Sequence, residues 1–300
     1  MKKLLVLALN KYLRQGIDLL LFSNIYIALC AVAQALVTYQ LLKVKHDIYV
    51  LGLLFSSTLA LYNFSIVLSK PKNPESSTSA RVRWIFSHYR LMISISIIAV
   101  FSIIPLSLFL STSSKILLLA LAIISISYNL PLFSIQDKKF RLRNIPGIKL
   151  FLIASVWALS CVLLPILELE SNKVISLSIN DTILLIAKSF LFFAAIAVPF
   201  DIRDIYQDKL YELKTIPVLF GEKWSLLICQ GFLGAYLFLL ILFNDQFDFD
   251  VIGLSLTIIL CGWLIFKSKW KKNEYYYFLF LDGILILQYL MLILFGSISL

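Results

Sequence analysis

Charge is scarce in this chain. Asp, Glu, Lys and Arg make up 15% of its 300 residues, where a soluble domain carries about 25%. Hydrophobic residues make up 60%, and the mean hydropathy is +0.91. Together these values exclude a soluble enzyme and a disordered chain alike. Cysteine is scarce too: Cys30, Cys161, Cys229 and Cys261 all fall in apolar segments, and none forms a CxxC pair. That excludes a secreted disulfide scaffold and leaves buried free thiols as the expectation. The two histidines, His46 and His88, have no metal-ligand spacing. A signal peptide is not expected at the start. The apolar run from Leu4 to Leu9 is short, Lys11 and Arg14 follow at once, and no small-residue cleavage site appears. Residues 1–16 read instead as an amphipathic segment on the inner membrane surface.

What is there is a succession of apolar runs of about 20 residues, each enough to cross a bilayer as a helix. Nine spans are expected, at about 17–42, 47–69, 91–111, 115–134, 149–168, 181–200, 224–243, 250–266 and 276–298. The fold class is therefore all-α and polytopic. Pro105, Pro131, Pro165 and Pro199 lie in or at the ends of spans, where neighbouring helices can satisfy the freed carbonyls.

Basic residues orient the spans. The N-terminus and the connections after spans 2, 4, 6 and 8 carry 22 of the 27 Lys and Arg. The other side carries four, Lys43, Lys45, Lys115 and Lys173. So strong an asymmetry places the N-terminus and the basic connections in the cytoplasm. Four basic loops on one face suggest an anionic partner there, although charge runs in loops also serve simply as topology signals. Nucleic acid is not expected, because the positive charge is accounted for by membrane topology.

One segment carries chemistry. Asp201-Ile-Arg203-Asp204-Ile-Tyr-Gln-Asp208 stands at the cytoplasmic end of span 6. Acids at i, i+3 and i+7 fall within about 60° on a continuous helix, so all three are expected to point to one spot. Carboxylates against an apolar helix end need a positive partner, and Mg²⁺ with substrate phosphates is the natural one. An acidic helix end facing water is the alternative.

The chain continues to Lys214-Thr215-Ile-Pro217 and Gly221. The whole string, DIRDIYQDxxxxxKTIPVxxG, resembles the second aspartate-rich motif of the UbiA-type intramembrane prenyltransferases, which include the 4-hydroxybenzoate and menaquinone polyprenyltransferases. Glu212 stands where that family usually has glycine. Tyr128-Asn129-Leu-Pro131, followed by the basic stretch 138–143, resembles the family as well. The resemblance implies one domain over residues 1–300, with about nine helices around a central cavity open to the cytoplasm. It implies transfer of an isoprenyl group from its diphosphate to a lipophilic or aromatic acceptor, with Mg²⁺ as cofactor and membrane lipids as surroundings. The catalytic set would be Asp201, Asp204, Asp208 and Tyr128, with the three aspartates as metal ligands.

The first motif departs from the pattern. The family carries NDxxDxxxD at the end of span 2; here Asn63 matches, and Phe64, Val67 and Pro71 replace the three aspartates. Half of the implied metal site is missing. Cations are expected to take over its work on the diphosphate: Lys70, Lys138, Lys139, Arg141 and Arg143, together with Arg203 and Lys214 of the second motif. Asn24 and Asn63 are expected to line the cavity. Asp282 and Lys188, ionisable groups inside spans, are weaker candidates. Two other classes stay open. One is a binding or transport protein for prenyl lipids that keeps the fold and the second motif. The other is a secondary transporter coupling Lys188 and Asp282, which leaves the Asp201–Gly221 string unexplained.

Overall fold

The computed structural model of the chain describes residues 2–68, 70–130, 133–135, 138–140, 142, 145, 147–210, 212–243, 248–270 and 273–297. The protein is a multi-pass, helical membrane protein. Seven helical stretches are long and apolar enough to cross a membrane, and a bent pair makes an eighth. The expected span 115–134 is the helix α6, Thr112–Asn129, whose apolar part Thr112–Tyr128 is shorter than the other spans. After it the chain forms a two-stranded hairpin, β1 (Phe133–Ile135) and β2 (Lys138–Phe140), with Phe133 opposite Phe140.

The first expected span is broken. Helix α1 (Lys2–Phe22) and helix α2 (Ile25–Leu41) meet at 63°. Asn24, at the joint, is left-handed with φ 68 and ψ 9; asparagine tolerates that region better than most residues. Helix α3 (Ile48–Leu68) follows, then a short connecting helix α4 (Ala80–Ser87) and helix α5 (Tyr89–Leu108). Ser79 starts α4 by accepting a hydrogen bond from Val82 N.

The next span joins helix α7 (Ile148–Ala158) to helix α8 (Leu164–Ser171) through a π turn at Leu159–Leu163. Helix α9 (Ile179–Arg203) is the sixth, and helix α10 (Ile205–Leu210) continues it after a break at Asp204. Helix α11 spans Ile216–Leu242, and helix α12 spans Phe249–Ser268. The last span enters through a π turn at Tyr276–Leu281 and runs on as helix α13, Gly283–Gly296.

The helices close a circuit. Helix α2 packs on α3, α3 touches α6, α6 meets α7 and α8, and α7 packs on α9. The circuit continues through α11 and α12 to α13, which returns to α2. The main core lies between α2, α9, α11, α12 and α13 and includes Phe192, Phe193, Leu233, Ile258 and Leu285. All four cysteines are buried and free. At one end, the connections that carry the basic residues touch in pairs. Arg81 N donates to Glu274 Oε2 at 3.0 Å, and Gly147 N donates to Lys214 O at 3.2 Å. Gly147 has φ +74, a value that suits glycine at the start of α7. Gly221 (φ 78, ψ 168) breaks α11 near its beginning, in a region that is almost exclusive to glycine.

Candidate functional site

A cavity of about 260 Å³ opens at that end, inside the circuit. Its apolar wall includes Ile27, Ile153, Trp157, Phe193 and Leu285. Its polar wall is Asn24, Arg81, Lys149, Asp201, Arg203, Asp204 and Asp282.

The break in the first span delivers Asn24 to the cavity. Its Nδ2 donates to Asn63 Oδ1 at 2.6 Å, and its Oδ1 accepts from the Arg81 guanidinium. Asn63 is fully buried, and its Nδ2 has no partner. Arg81 therefore stands on the side of the cavity to which the degenerate first motif belongs. Its guanidinium lies 4.5 Å from the centre of the Phe278 ring and forms no ion pair among the described residues. Burial, then the charge of Arg203, pushes Arg81 down to about 10, so it remains a cation at neutral pH. Its Nε has no acceptor.

Arg203 faces the same ring at 5.3 Å and also lies over Phe200 at 5.1 Å and Tyr277 at 5.3 Å. The π turn at Tyr276–Leu281 supplies two of these three rings, as such turns often do at working sites. Arg203 holds Asp204 through two bonds, Nε to Oδ1 at 2.8 Å and Nη2 to Oδ2 at 2.9 Å. Its Nη1 is buried without an acceptor. Two guanidiniums thus share one aromatic ring, and each keeps an unsatisfied N–H. Aromatic faces can hold cations together in this way without a carboxylate between them. An unpaired buried donor is costly, and an anion in the cavity would satisfy both.

The three motif aspartates do not converge. The expectation of one spot assumed one continuous helix, and the chain turns at Asp204 (φ −94, ψ 9). Asp204 faces Arg203 as a result. Asp201 and Asp208 stay together, and Lys149 lies between them. Its Nζ is 2.7 Å from Asp201 Oδ1 and 3.2 Å from Asp208 Oδ2. Among the described residues, no three His, Cys, Asp or Glu side chains are placed to hold a metal ion. As arranged, this donor set does not fit Mg²⁺: an ammonium takes up the pair, and the third acid is turned aside.

The other expected residues are scattered. Lys70 lies over the rings of Phe86 and Tyr89, at 5.7 and 5.5 Å, outside the cavity lining. Lys214 has an exposed side chain; its backbone carbonyl is what ties the motif to α7. Tyr128 lines a neighbouring groove of about 230 Å³ between α3, α6 and α7, and Tyr62, Ile153 and Trp157 line both hollows. Arg141 and Arg143 lie outside the described residues, as do the side chains of Lys138 and Lys139. Lys188 is buried but is not part of the cavity lining, whereas Asp282 is. Glu212, where the family usually has glycine, is left-handed with φ 54.

Solved structures share this fold over most of the chain. A UbiA homologue from Aeropyrum pernix K1 superposes with a TM-score of 0.60 at 14% identity, over 94% of this chain and 98% of that one. A UbiA homologue from Archaeoglobus fulgidus bound to GPP and Mg²⁺ gives 0.63 at 13% identity, over 94% and 99%. This chain has the UbiA-type fold. A digeranylgeranylglyceryl phosphate synthase, at 0.54 and 16% identity over 95% and 99%, has it too. No family model and no curated protein matches the sequence. Within the UbiA-type fold, sequence reasoning missed Arg81 and Lys149 as site residues. Both are among the 22 basic residues of one side, where a topology charge is the ordinary reading. The one available signal was position: Arg81 follows the lost first motif, and Lys149 opens an apolar span.

Proposed function

We propose that the protein is a divergent UbiA-type prenyltransferase with its site facing the cytoplasm, and that Arg81 and Arg203 hold the diphosphate of an isoprenyl donor. The observation that carries this reading is the pair of buried, unsatisfied guanidinium N–H groups in a cavity that is otherwise largely apolar. Guanidinium is suited to bind phosphate through several directed bonds at once. The isoprenyl chain lies along Ile153, Trp157 and Phe193, and a lipophilic or aromatic acceptor enters from the Tyr128 groove. The allylic C–O bond breaks, and its electron pair leaves with the diphosphate. The acceptor supplies the pair for the new bond and releases its proton to the diphosphate. Arg81 and Arg203 stabilise the leaving group, while the apolar wall keeps water from the allylic cation.

The test is binding of geranyl diphosphate to purified protein in nanodiscs, followed by pyrophosphate release with a lipid extract as acceptor pool. Wild type should bind, and Arg81→Ala and Arg203→Ala should each bind more weakly. Unchanged binding in both variants would overturn the assignment of the clamp. A second reading, a prenyl-diphosphate binding protein without turnover, draws on the lost first motif and on the ammonium between Asp201 and Asp208. Binding without pyrophosphate release under every condition would select it.

A further inference from the structure

We propose that Lys149 is a tethered cation in the place that a divalent ion would need between Asp201 and Asp208, so that this protein takes its diphosphate without metal. The inference rests on the reading of the cavity as a diphosphate site.

The geometry is that of a bridging cation. One Nζ reaches Asp201 Oδ1 at 2.7 Å and both oxygens of Asp208, Oδ2 at 3.2 Å and Oδ1 at 3.4 Å. Asp201 and Asp208 are buried, and the lysine itself lines the cavity. Nothing about this placement depends on a mobile surface side chain. Lys149 is the second residue of α7, behind a left-handed Gly147 whose N–H is fixed to Lys214 O. That hydrogen bond joins the lysine-bearing helix to the segment just after the aspartate motif. Leu213 N donates to Asp208 O at 2.8 Å and fixes the same turn from inside. The chain thus positions the ammonium and both carboxylates through its backbone.

The chemistry of the donor set follows. A magnesium ion needs six oxygens at about 2.0–2.1 Å in near-octahedral array. Here the two buried carboxylates face a fixed positive charge, and Asp204, the remaining acid of the motif, is occupied by two bonds from Arg203. At the end of span 2, Phe64, Val67 and Pro71 stand where the first motif would have aspartates, so no acid comes from there. An ammonium has three N–H donors. Two go to the carboxylates, and the third remains for a phosphate oxygen. One lysine therefore does two things that a metal does: it neutralises buried acids, and it presents positive charge to the ligand. As a monovalent point charge it does so with less pull on a leaving group than Mg²⁺.

The experiment uses the full chain in nanodiscs, with geranyl diphosphate and Mn²⁺ as probes. Geranyl diphosphate affinity is measured in EDTA and in excess Mg²⁺, and Mn²⁺ binding is followed by electron paramagnetic resonance without any diphosphate. Wild type should bind the diphosphate within about threefold of the same affinity in both conditions and should bind no Mn²⁺ at micromolar concentration. Lys149→Met keeps the stem, frees both carboxylates and should gain one Mn²⁺ site. Its diphosphate affinity should become metal-dependent by about tenfold or more, a difference of about 1.4 kcal/mol. Lys149→Arg should stay metal-independent. A wild-type affinity that collapses in EDTA, or a wild type that binds Mn²⁺ unaided, would overturn the proposal; so would a Lys149→Met protein that binds none. The wild-type measurements decide even where a variant fails to fold. Should wild type bind no geranyl diphosphate in either condition, the functional reading fails, and the Mn²⁺ comparison still tests the exchange of lysine for metal.

Discussion

The two polar walls of the cavity are built differently. On the wall formed by the bend of the first span and by α4, the side chains of Arg81, Asn24 and Asn63 make a chain of hydrogen bonds with no carboxylate in it, and Asp282 lines the same cavity without an ion pair to Arg81. On the adjoining wall, every cation has an acid: Lys149 has Asp201 and Asp208, and Arg203 has Asp204. The first wall has positive charge to spare, and the second has largely spent its own. On the proposed reading, the Arg81 wall is the stronger anion receptor, and the Lys149–Arg203 wall is largely neutralised from within.

The largest test of this difference is Arg81→Ala against Arg203→Ala. Each removes a charge-assisted bond worth about 1.5–3 kcal/mol, or roughly 10- to 150-fold in affinity. Arg81 should lie at the upper end, because Arg203 already shares its charge with Asp204. Calorimetric titration with geranyl diphosphate reads both, and equal losses would erase the distinction between the walls.

Asn24→Gly comes next. Glycine keeps the left-handed bend and removes only the amide, leaving Asn63 buried without a partner. Stability should fall by about 1–3 kcal/mol, measured as a lower melting temperature in detergent. An unchanged melting temperature would show that the hydrogen-bond chain does not hold that wall together.

Asp204→Asn removes the negative charge opposite Arg203 and should raise diphosphate affinity by about threefold to tenfold, on the order of 1 kcal/mol. A fall instead would mean that Asp204 contacts the ligand side directly. The smallest effect belongs to Glu212→Gly. A left-handed non-glycine residue costs about 1–2 kcal/mol, and the added freedom of glycine in the unfolded chain offsets part of it. A net gain of up to about 1 kcal/mol is expected, visible as a slightly higher melting temperature. A loss would show that the Glu212 side chain itself supports the turn.

The spans were legible because apolar runs and the asymmetry of basic residues report membrane geometry directly. What the sequence concealed were the breaks. Nothing in Asp201–Asp208 announces a turn at Asp204, so an angular argument made for a continuous helix placed three acids together. Asn24 attracted notice as a polar group inside a span, but its role depends on a 63° bend that hydropathy averages away. Asp282 carried its own signal, an acid inside an apolar run, and does line the cavity. Lys149 and Arg81 are hidden because a lysine at the basic end of a span and an arginine in a basic loop are what topology alone would place there. Only the packing of α7 against α9, and of Phe278 against both arginines, gives them another task.

The bend at Ser23–Asn24 has a consequence for the heat of binding. The bend brings the Asn24 amide to a hollow that is also lined by Arg81, Lys149, Asp201, Arg203, Asp204 and Asp282, and so many charged groups draw water into it. On the proposed reading, an isoprenyl chain displaces that water and removes apolar wall from contact with solvent. The calorimetric signature is a negative heat-capacity change that grows with the length of the chain, whereas inorganic pyrophosphate, which touches only the polar walls, should show almost none.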